Sequence, residues 1–331
     1  MGNTVFILGA GFSHAIYSGM PLVSQLSRRL ARYELSHTDS AVNYLLEKNF
    51  EEALAYLVER KPWMGEIEHL QHQIILQKLT RNIGYAISKD QREALRQIRS
   101  ATSHWAIDLV SWWHRNQATV LTLNYDVIVE ALANRVLYES RGDSKGLLAC
   151  ARIYPRVLVP GGVRSGAVML SDSSTAEKTF RLLKLHGSIN WYYSGMHDSR
   201  GEVIYFTPPD SVPEDPGDPL PESVSDKVPF IVPPVPSKGS LVSHESVRAM
   251  WTSASQALQH ADRLVIMGYS MPPNDHLISQ LLRERFKPGA KVEIVDPNLS
   301  LLPRVKNLLG ENVSQNSSGP QCVADFVSQL K

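Results

Sequence analysis

Five short stretches of this chain combine small and polar residues in ways that could serve chemistry. Gly9-Ala10-Gly11-Phe12-Ser13-His14 follows an apolar run. Two glycines let backbone N–H groups approach a pyrophosphate, and a following helix end favours its charge. The dehydrogenase fingerprint wants a third glycine where His14 stands, and an acidic residue closing a second strand about 20 residues on, which is absent. A glycine turn without a ligand fits the same residues. In Thr122-Leu123-Asn124-Tyr125-Asp126, Asp126 could simply cap a helix. Asn124, an amide closing an apolar run, needs partners if buried. Lys184-Leu185-His186-Gly187-Ser188 places an imidazole, which titrates near neutrality as a general base should, before a glycine. A structural histidine fits there too. Met267-Gly268-Tyr269-Ser270, followed by Asp275, and Val295-Asp296-Pro297-Asn298 complete the set. A carboxylate at a strand end can accept from ribose hydroxyls, and either stretch could equally be a turn. His69 and His72 stand i,i+3 with no third metal ligand beside them and read as a solvated helix face. Ser13 and His14 are neighbours in sequence, which is not the geometry of a nucleophile and its base. Trp112, Trp113 and Trp191 read as packing.

These residues matter only if folded elements bring them together. Thr4–Leu8, 118–123, 181–185, 263–267 and 291–295 are short, nearly all-apolar runs. Such runs alternating with helical patterns predict parallel strands covered on both faces, with a further short strand at 203–206. Helices are expected from Asp126 to Leu137, from Ser246 to Ala261, from Asn274 to Phe286, from Ser300 to Leu309 and from Val323 to Leu330. Residues 23–115 are mostly helical in pattern and too long for one crossover. Leu26, Leu30 and Tyr33 keep helical spacing, as do Leu54, Leu57 and Val58, and Asp90 could cap a helix running to Trp113. Residues 208–236 hold half of the chain's 20 prolines, which predicts extended loop there and not core sheet. The expected fold is α/β: a Rossmann-like, doubly wound, mostly parallel sheet with a helical insert and no zinc ribbon. It would form one domain over 1–331, with the core in 1–22, 116–206 and 262–312, the insert in 23–115, a proline-rich loop in 207–245 and a C-terminal segment in 313–331.

Composition narrows the function further. The chain has 331 residues, with 34 Lys+Arg against 33 Asp+Glu for a net charge of +1. That balance argues against a broad polyanion binder, and no sequence-specific nucleic-acid contact is expected. No apolar run reaches the ~20 residues that span a bilayer, and the longest apolar stretch near the start, Val5 to Leu8, is too short for a signal-peptide core, so a cytoplasmic location is expected. Cys150 and Cys322 are the only cysteines. They cannot build a four-cysteine zinc site or a disulfide framework. No metal is expected, and chemistry would fall to His, Asn, Asp and Ser.

Taken in order, the pieces resemble the sirtuin-like superfamily. The residues that carry the resemblance are Gly9-Ala10-Gly11-Phe12-Ser13, Ser18-Gly19-Met20-Pro21, Thr122-Leu123-Asn124-Tyr125-Asp126, Leu185-His186-Gly187-Ser188, Gly268-Tyr269-Ser270-Met271 and Val295-Asp296-Pro297. Leu185 through Trp191, and Phe230-Ile231-Val232-Pro233-Pro234 with Lys238, look like the bacterial branch associated with antiphage defence, whose members hydrolyse NAD. The chain departs from deacylase sirtuins at Leu123, where they carry Gln, at Leu22 and Val23, where an Arg follows, and in lacking their four zinc cysteines.

The resemblance implies an NAD glycohydrolase, with an atypical NAD-dependent deacylase or a non-catalytic NAD or ADP-ribose module as alternatives. It implies that Gly9, Ala10, Gly11, Phe12 and Ser13 cradle the pyrophosphate. Asn124 and His186 would be catalytic, the first placing a water and the second acting near the ribose hydroxyls, with Gly187 beside it among the NAD-binding residues. Asp126 would hold the nicotinamide carboxamide, Gly268 and Ser270 the phosphate or adenosine side, and Asp296 the adenine ribose. NAD would be substrate. An unrestrained NADase would drain its host, so a homo-oligomer or a separate regulatory partner, an ATPase or a nucleic-acid-guided protein, is expected to control it.

Overall fold

The computed structural model describes residues 2–32, 40–100, 104–138, 144–161, 178–194, 203–232, 244–272, 275–316 and 319–330. Tyr33, Pro233, Pro234, Lys238 and Asn274 lie outside them. The strands are β1 (Thr4–Leu8), β2 (Thr119–Thr122), β3 (Leu158–Pro160), β4 (Arg181–Lys184), β5 (Gly187–Tyr193), β6 (Ile204–Phe206), β7 (Val228–Ile231), β8 (Arg263–Met267), β9 (Lys291–Val295) and β10 (Val313–Asn316). The helices are α1 (Ala10–Ile16), α2 (Val23–Leu30), α3 (Ser40–Lys48), α4 (Phe50–Val58), α5 (Glu66–Ser100), α6 (Trp105–Asn116), α7 (Ile128–Tyr138), α8 (Ser144–Ile153), α9 (Glu245–Gln259), α10 (His276–Arg285), α11 (Leu301–Leu309) and α12 (Cys322–Ser328).

The main sheet runs β10-β9-β8-β1-β2-β4, and each of its pairings is parallel. β1 is buried from Val5 onward, as a central strand covered on both faces must be. Phe6 explains part of the cover, packing edge-on to Trp112 and Trp113 of α6 at 5.8 and 5.4 Å between ring centroids. The chain passes from β1 to β2 and β4 in one direction, then returns to β8 and proceeds through β9 to β10 in the other. The strand order therefore reverses beside β1, the doubly wound arrangement in which ligands bind at the carboxyl ends of the strands. β10 is a polar edge strand, Val-Ser-Gln-Asn, without the apolar run that betrays its neighbours.

Two readings from sequence need correction. Asp90 caps nothing: α5 is one helix of 35 residues, and Asp90 sits inside it with its carboxylate paired to Arg29 of α2. The proline-rich stretch is not all loop. It contributes β7 to a second sheet, ordered β3-β6-β5-β7, in which β5 pairs antiparallel with β6 and β7. Pro229 is tolerated because β7 is an edge strand, where a missing N–H breaks no inner ladder, and it lies opposite Tyr192 where the register shifts. The helical region, both sheets and the flanking helices share one contiguous apolar core. No helix among the described residues is long and apolar enough to cross a membrane.

Candidate active site

Register alone gathers the residues singled out above. Leu8 pairs with both Thr122 and Met267, Thr122 with Lys184, and Met267 with Val295. Gly9, Leu123, Leu185, Gly268 and Asp296 are thus the first residues past five aligned strand ends. Asn124 and His186 each stand two residues beyond a paired position on neighbouring strands.

The β1–α1 turn rests on the β8 end. Gly9 N–H donates to Met267 O at 3.2 Å and Gly11 N–H to Gly268 O at 2.9 Å. Gly268 has φ of +60°, and a Cβ there would lie 2.2 Å from Phe12 N. At Gly9 and Gly268 glycine is therefore required by backbone approaching backbone, and both glycine N–H groups of the turn are already engaged.

Asn124 donates from Nδ2 to Gly9 O at 2.9 Å and to Ser13 Oγ at 3.0 Å. The Gly9 carbonyl can only accept, which fixes the amide's orientation and leaves Oδ1 for a donor in the crevice. Ser13 donates its hydroxyl hydrogen bond to Asp126 Oδ2 at 2.7 Å, while Ile128 N–H donates to Oδ1 at 3.2 Å. Asp126 thus caps α7 and anchors Ser13 at once. Burial raises its carboxyl above the usual range, opposed by the Lys184 charge and by these two hydrogen bonds. Beneath it, Lys184 Nζ donates to Asp126 O and, at 2.8 Å, to Glu130 Oε1. Tyr154 completes the floor with a 2.6 Å bond to Glu130 and a 3.4 Å bond to Asn190, which also accepts from Ser188 at 2.7 Å.

His186 is buried in the turn between β4 and β5, with Nε2 3.7 Å from Asp275 Oδ1. Burial holds its imidazole below the usual range, and the Asp275 charge opposes that shift. Asp275, the N-cap residue of α10, accepts from Tyr269 Oη at 2.6 Å on its other oxygen. Glu51 comes from the helical region. It follows the Asn49 cap of α4, and burial, then the charges of Asp275 and Glu52, lift its carboxyl to about 8. A carboxylate harder to ionise in the folded state stabilises the fold below its ordinary pKa, and that contribution is lost as pH rises towards 8. The melting temperature of Glu51→Gln is therefore expected to match wild type near pH 4.5 and exceed it by about 2–4 °C at pH 9. Parallel pH dependences for the two proteins in calorimetry would show that Glu51 titrates normally.

Of the residues chosen from sequence, Gly9, Ser13, Asn124 and Asp126 form one hydrogen-bonded network, and Gly268 packs on it. Ala10, Phe12 and Gly187 shape its backbone. Gly187, at φ +77°, leaves no room for a Cβ beside Phe230 O. Ser270 and Asp296 lie further along the same edge, where Asp296 accepts from Asn298 N–H at 2.8 Å. His72 is buried against the Tyr56 ring, 5.2 Å between centroids, and is not on a solvated face. No group of three or more His, Cys, Asp or Glu among the described residues could hold a metal. Sequence reasoning missed Glu51, Tyr125, Lys184 and Glu130. Only Lys184, a charge closing the otherwise apolar Leu182-Leu183 run, carried a local signal.

No protein-family model matches the chain, and no curated protein does. Solved structures do. A Sir2 homologue in complex with NAD is 14% identical over 99% of this chain and 89% of that chain, with a TM-score of 0.48. A mutant Sir2 homologue in complex with ADP-ribose is 13% identical over 99% and 91%, with a TM-score of 0.46. A Sir2 complex with p53 peptide and NAD+ is 13% identical over 99% and 91%, with a TM-score of 0.44. At such identities and scores, the chain's own residues carry the functional reading.

Proposed function

We propose that this protein hydrolyses NAD+ to nicotinamide and ADP-ribose, as a regulated NAD-depleting effector of bacterial antiphage defence. The observation that carries the reading is Asn124, locked by Gly9 and Ser13 with its amide oxygen turned free, one strand away from a buried histidine at a parallel sheet's carboxyl edge. Breaking the C1′–nicotinamide bond returns its electron pair to the pyridine nitrogen and leaves a cationic, oxocarbenium-like ribose. Asn124 Oδ1 holds a water through one of its hydrogens, and His186 takes the proton as the water oxygen bonds to C1′. The balance is NAD+ plus water giving nicotinamide, ADP-ribose and a proton. The pyrophosphate lies over the β1–α1 turn, with the adenosine toward Ser270 and Asp296. Deacylation is the weaker reading, since two buried cysteines, 150 and 322, cannot supply the four-cysteine zinc module beside which deacylases bind acyl-lysine.

Control by self-assembly has support on α5. Trp63, Ile67, Leu70 and Ile74 are exposed at 81%, 75%, 50% and 55%. The three helical residues form a stripe that continues into the exposed Lys78 and Arg81, with Glu66 and Glu68 at its start. Two copies laid antiparallel on this face set each copy's acids toward the other's bases, an isologous pairing. A separate ATPase or nucleic-acid-guided partner is the other route to control.

The test is nicotinamide release from NAD by the purified chain over a wide range of protein concentration. Asn124→Ala, which removes the water's acceptor and both anchoring bonds, is expected to lower the rate constant about 10²-fold. A steep rise in specific activity with concentration points to assembly as the switch. Asn124→Ala turning over NAD at the wild-type rate would remove this residue from the mechanism.

A further inference from the structure

We propose that the cavity between α5 and the segment after β6 binds an organic phosphate monoester about the size of a mononucleotide. The cavity holds about 360 Å³, a volume typical of small-molecule sites. None of the residues assigned to NAD above lines it. One of its lining residues is a buried amide with a spare donor. Gln91 is 3% exposed, and its Oε1 accepts from Val127 N–H at 2.8 Å. That donor fixes the amide's orientation, and among the described residues nothing accepts from Nε2. Buried amide N–H groups normally have a partner, and here an acceptor on a ligand would supply it.

The charges around Gln91 select the occupant. Arg92, Arg96 and Arg99 stand i, i+4 and i+7 on α5, so one helix face brings three guanidinium groups to the cavity. Asp210 is the lining carboxylate. Each arginine is held by an acid, Arg92 by Glu214, Arg96 by Glu93 and Arg99 by Asp210. All three arginine side chains are more than half exposed. Such pairs contribute little to stability, so an incoming anion displaces them cheaply. A guanidinium fork fits phosphate oxygens two at a time, and Gln91 adds a further donor. The ligand therefore accepts hydrogen bonds and carries negative charge. Leu95, Pro209 and Val212 give the same cavity buried apolar lining, which a bare tetrahedral ion leaves uncovered. An organic body esterified to the phosphate covers it.

Calorimetric titration of UMP, inorganic phosphate and uridine into wild type and two variants tests the site. Arg96→Gln removes one exposed charge and breaks only a pair within α5, so the fold should be indifferent to it. Gln91→Glu keeps an acceptor for Val127 N–H and turns the spare donor into a carboxylate oxygen. Wild type is expected to bind UMP more tightly than either phosphate or uridine. Arg96→Gln should bind UMP about three- to tenfold more weakly, and Gln91→Glu at least about tenfold more weakly. ADP-ribose, titrated alongside, should bind the two variants as it binds wild type. UMP that does not bind, or that binds no better than uridine, overturns the phosphate site. Inorganic phosphate binding as tightly as UMP overturns the organic body. Unaltered UMP affinity in Arg96→Gln places the nucleotide elsewhere and overturns the cavity's role. ADP-ribose affinity falling in step with that for UMP makes the cavity part of the NAD site and overturns it as a separate one.

Discussion

Substituting alanine for His186 is expected to lower nicotinamide release by about 10²–10⁴-fold, the contribution of one well-placed general base. The loss should fall on kcat, because a base acts on the attacking water and not on ground-state binding. Burial depresses the imidazole's proton affinity against the pull of Asp275, so the neutral form prevails at pH 7. The wild-type rate should hold from neutral pH upward and decline only below the usual imidazole range, while the residual rate of His186→Ala loses that acid limb. The substitution keeps the backbone bond from Val232 N–H to His186 O at 2.8 Å, so the fold should survive, and ADP-ribose titration checks that the site does. A variant retaining more than a tenth of wild-type kcat would show that the proton leaves by another route.

Lys184→Met is expected to cost about 3–5 kcal/mol of stability. Lys184 and Glu130 are 1% and 0% exposed and meet at 2.8 Å. Methionine keeps most of the volume and removes the charge, which strands the Glu130 carboxylate in the interior with Tyr154 as its remaining donor. The penalty comes from that uncompensated charge more than from the lost attraction, so Lys184→Met/Glu130→Gln should recover much of it. Denaturant melts of wild type, both single variants and the double variant decide the point. A single-variant cost under about 1 kcal/mol, or a double variant no better than Lys184→Met, would mean that the pair is hydrated.

The parallel sheet was legible because β1, β2 and β8 are buried almost throughout and β4 and β9 carry buried apolar residues between their charged ones, so each reads as a short, mostly apolar run. Their ends carried Asn124, Asp126, His186 and Gly268 with them. Of the second sheet only β6 was legible, as the short strand at 203–206. β5 opens at Gly187, straight after the histidine turn, and was read only as part of that motif, while its partner β7 carries a proline and lies in the proline-rich stretch. Glu51 was invisible for a different reason. It opens an ordinary amphipathic helix, and the charge of Asp275 bears on it only when elements far apart in the chain converge. Asp275 stood out beside Gly268-Tyr269-Ser270, but nothing local tied it to His186. Gly9 and Gly11 drew notice as a turn, and the contact their N–H groups make with Met267 and Gly268 had no local signal.

The place of β1 between β2 and β8 has a cost in time. Asn3 at its foot bonds to Asp262, 259 residues away. On a ribosome adding about 5–20 residues per second, the nascent first strand waits on the order of tens of seconds for that neighbour. Until Arg263–Met267 emerges, this strand, apolar from Val5 to Leu8, has one bare edge, the kind of template on which chains aggregate. The hazard for this protein thus falls during its synthesis, and a stall in translation before Arg263–Met267 clears the ribosome would prolong it, whereas a later stall would not.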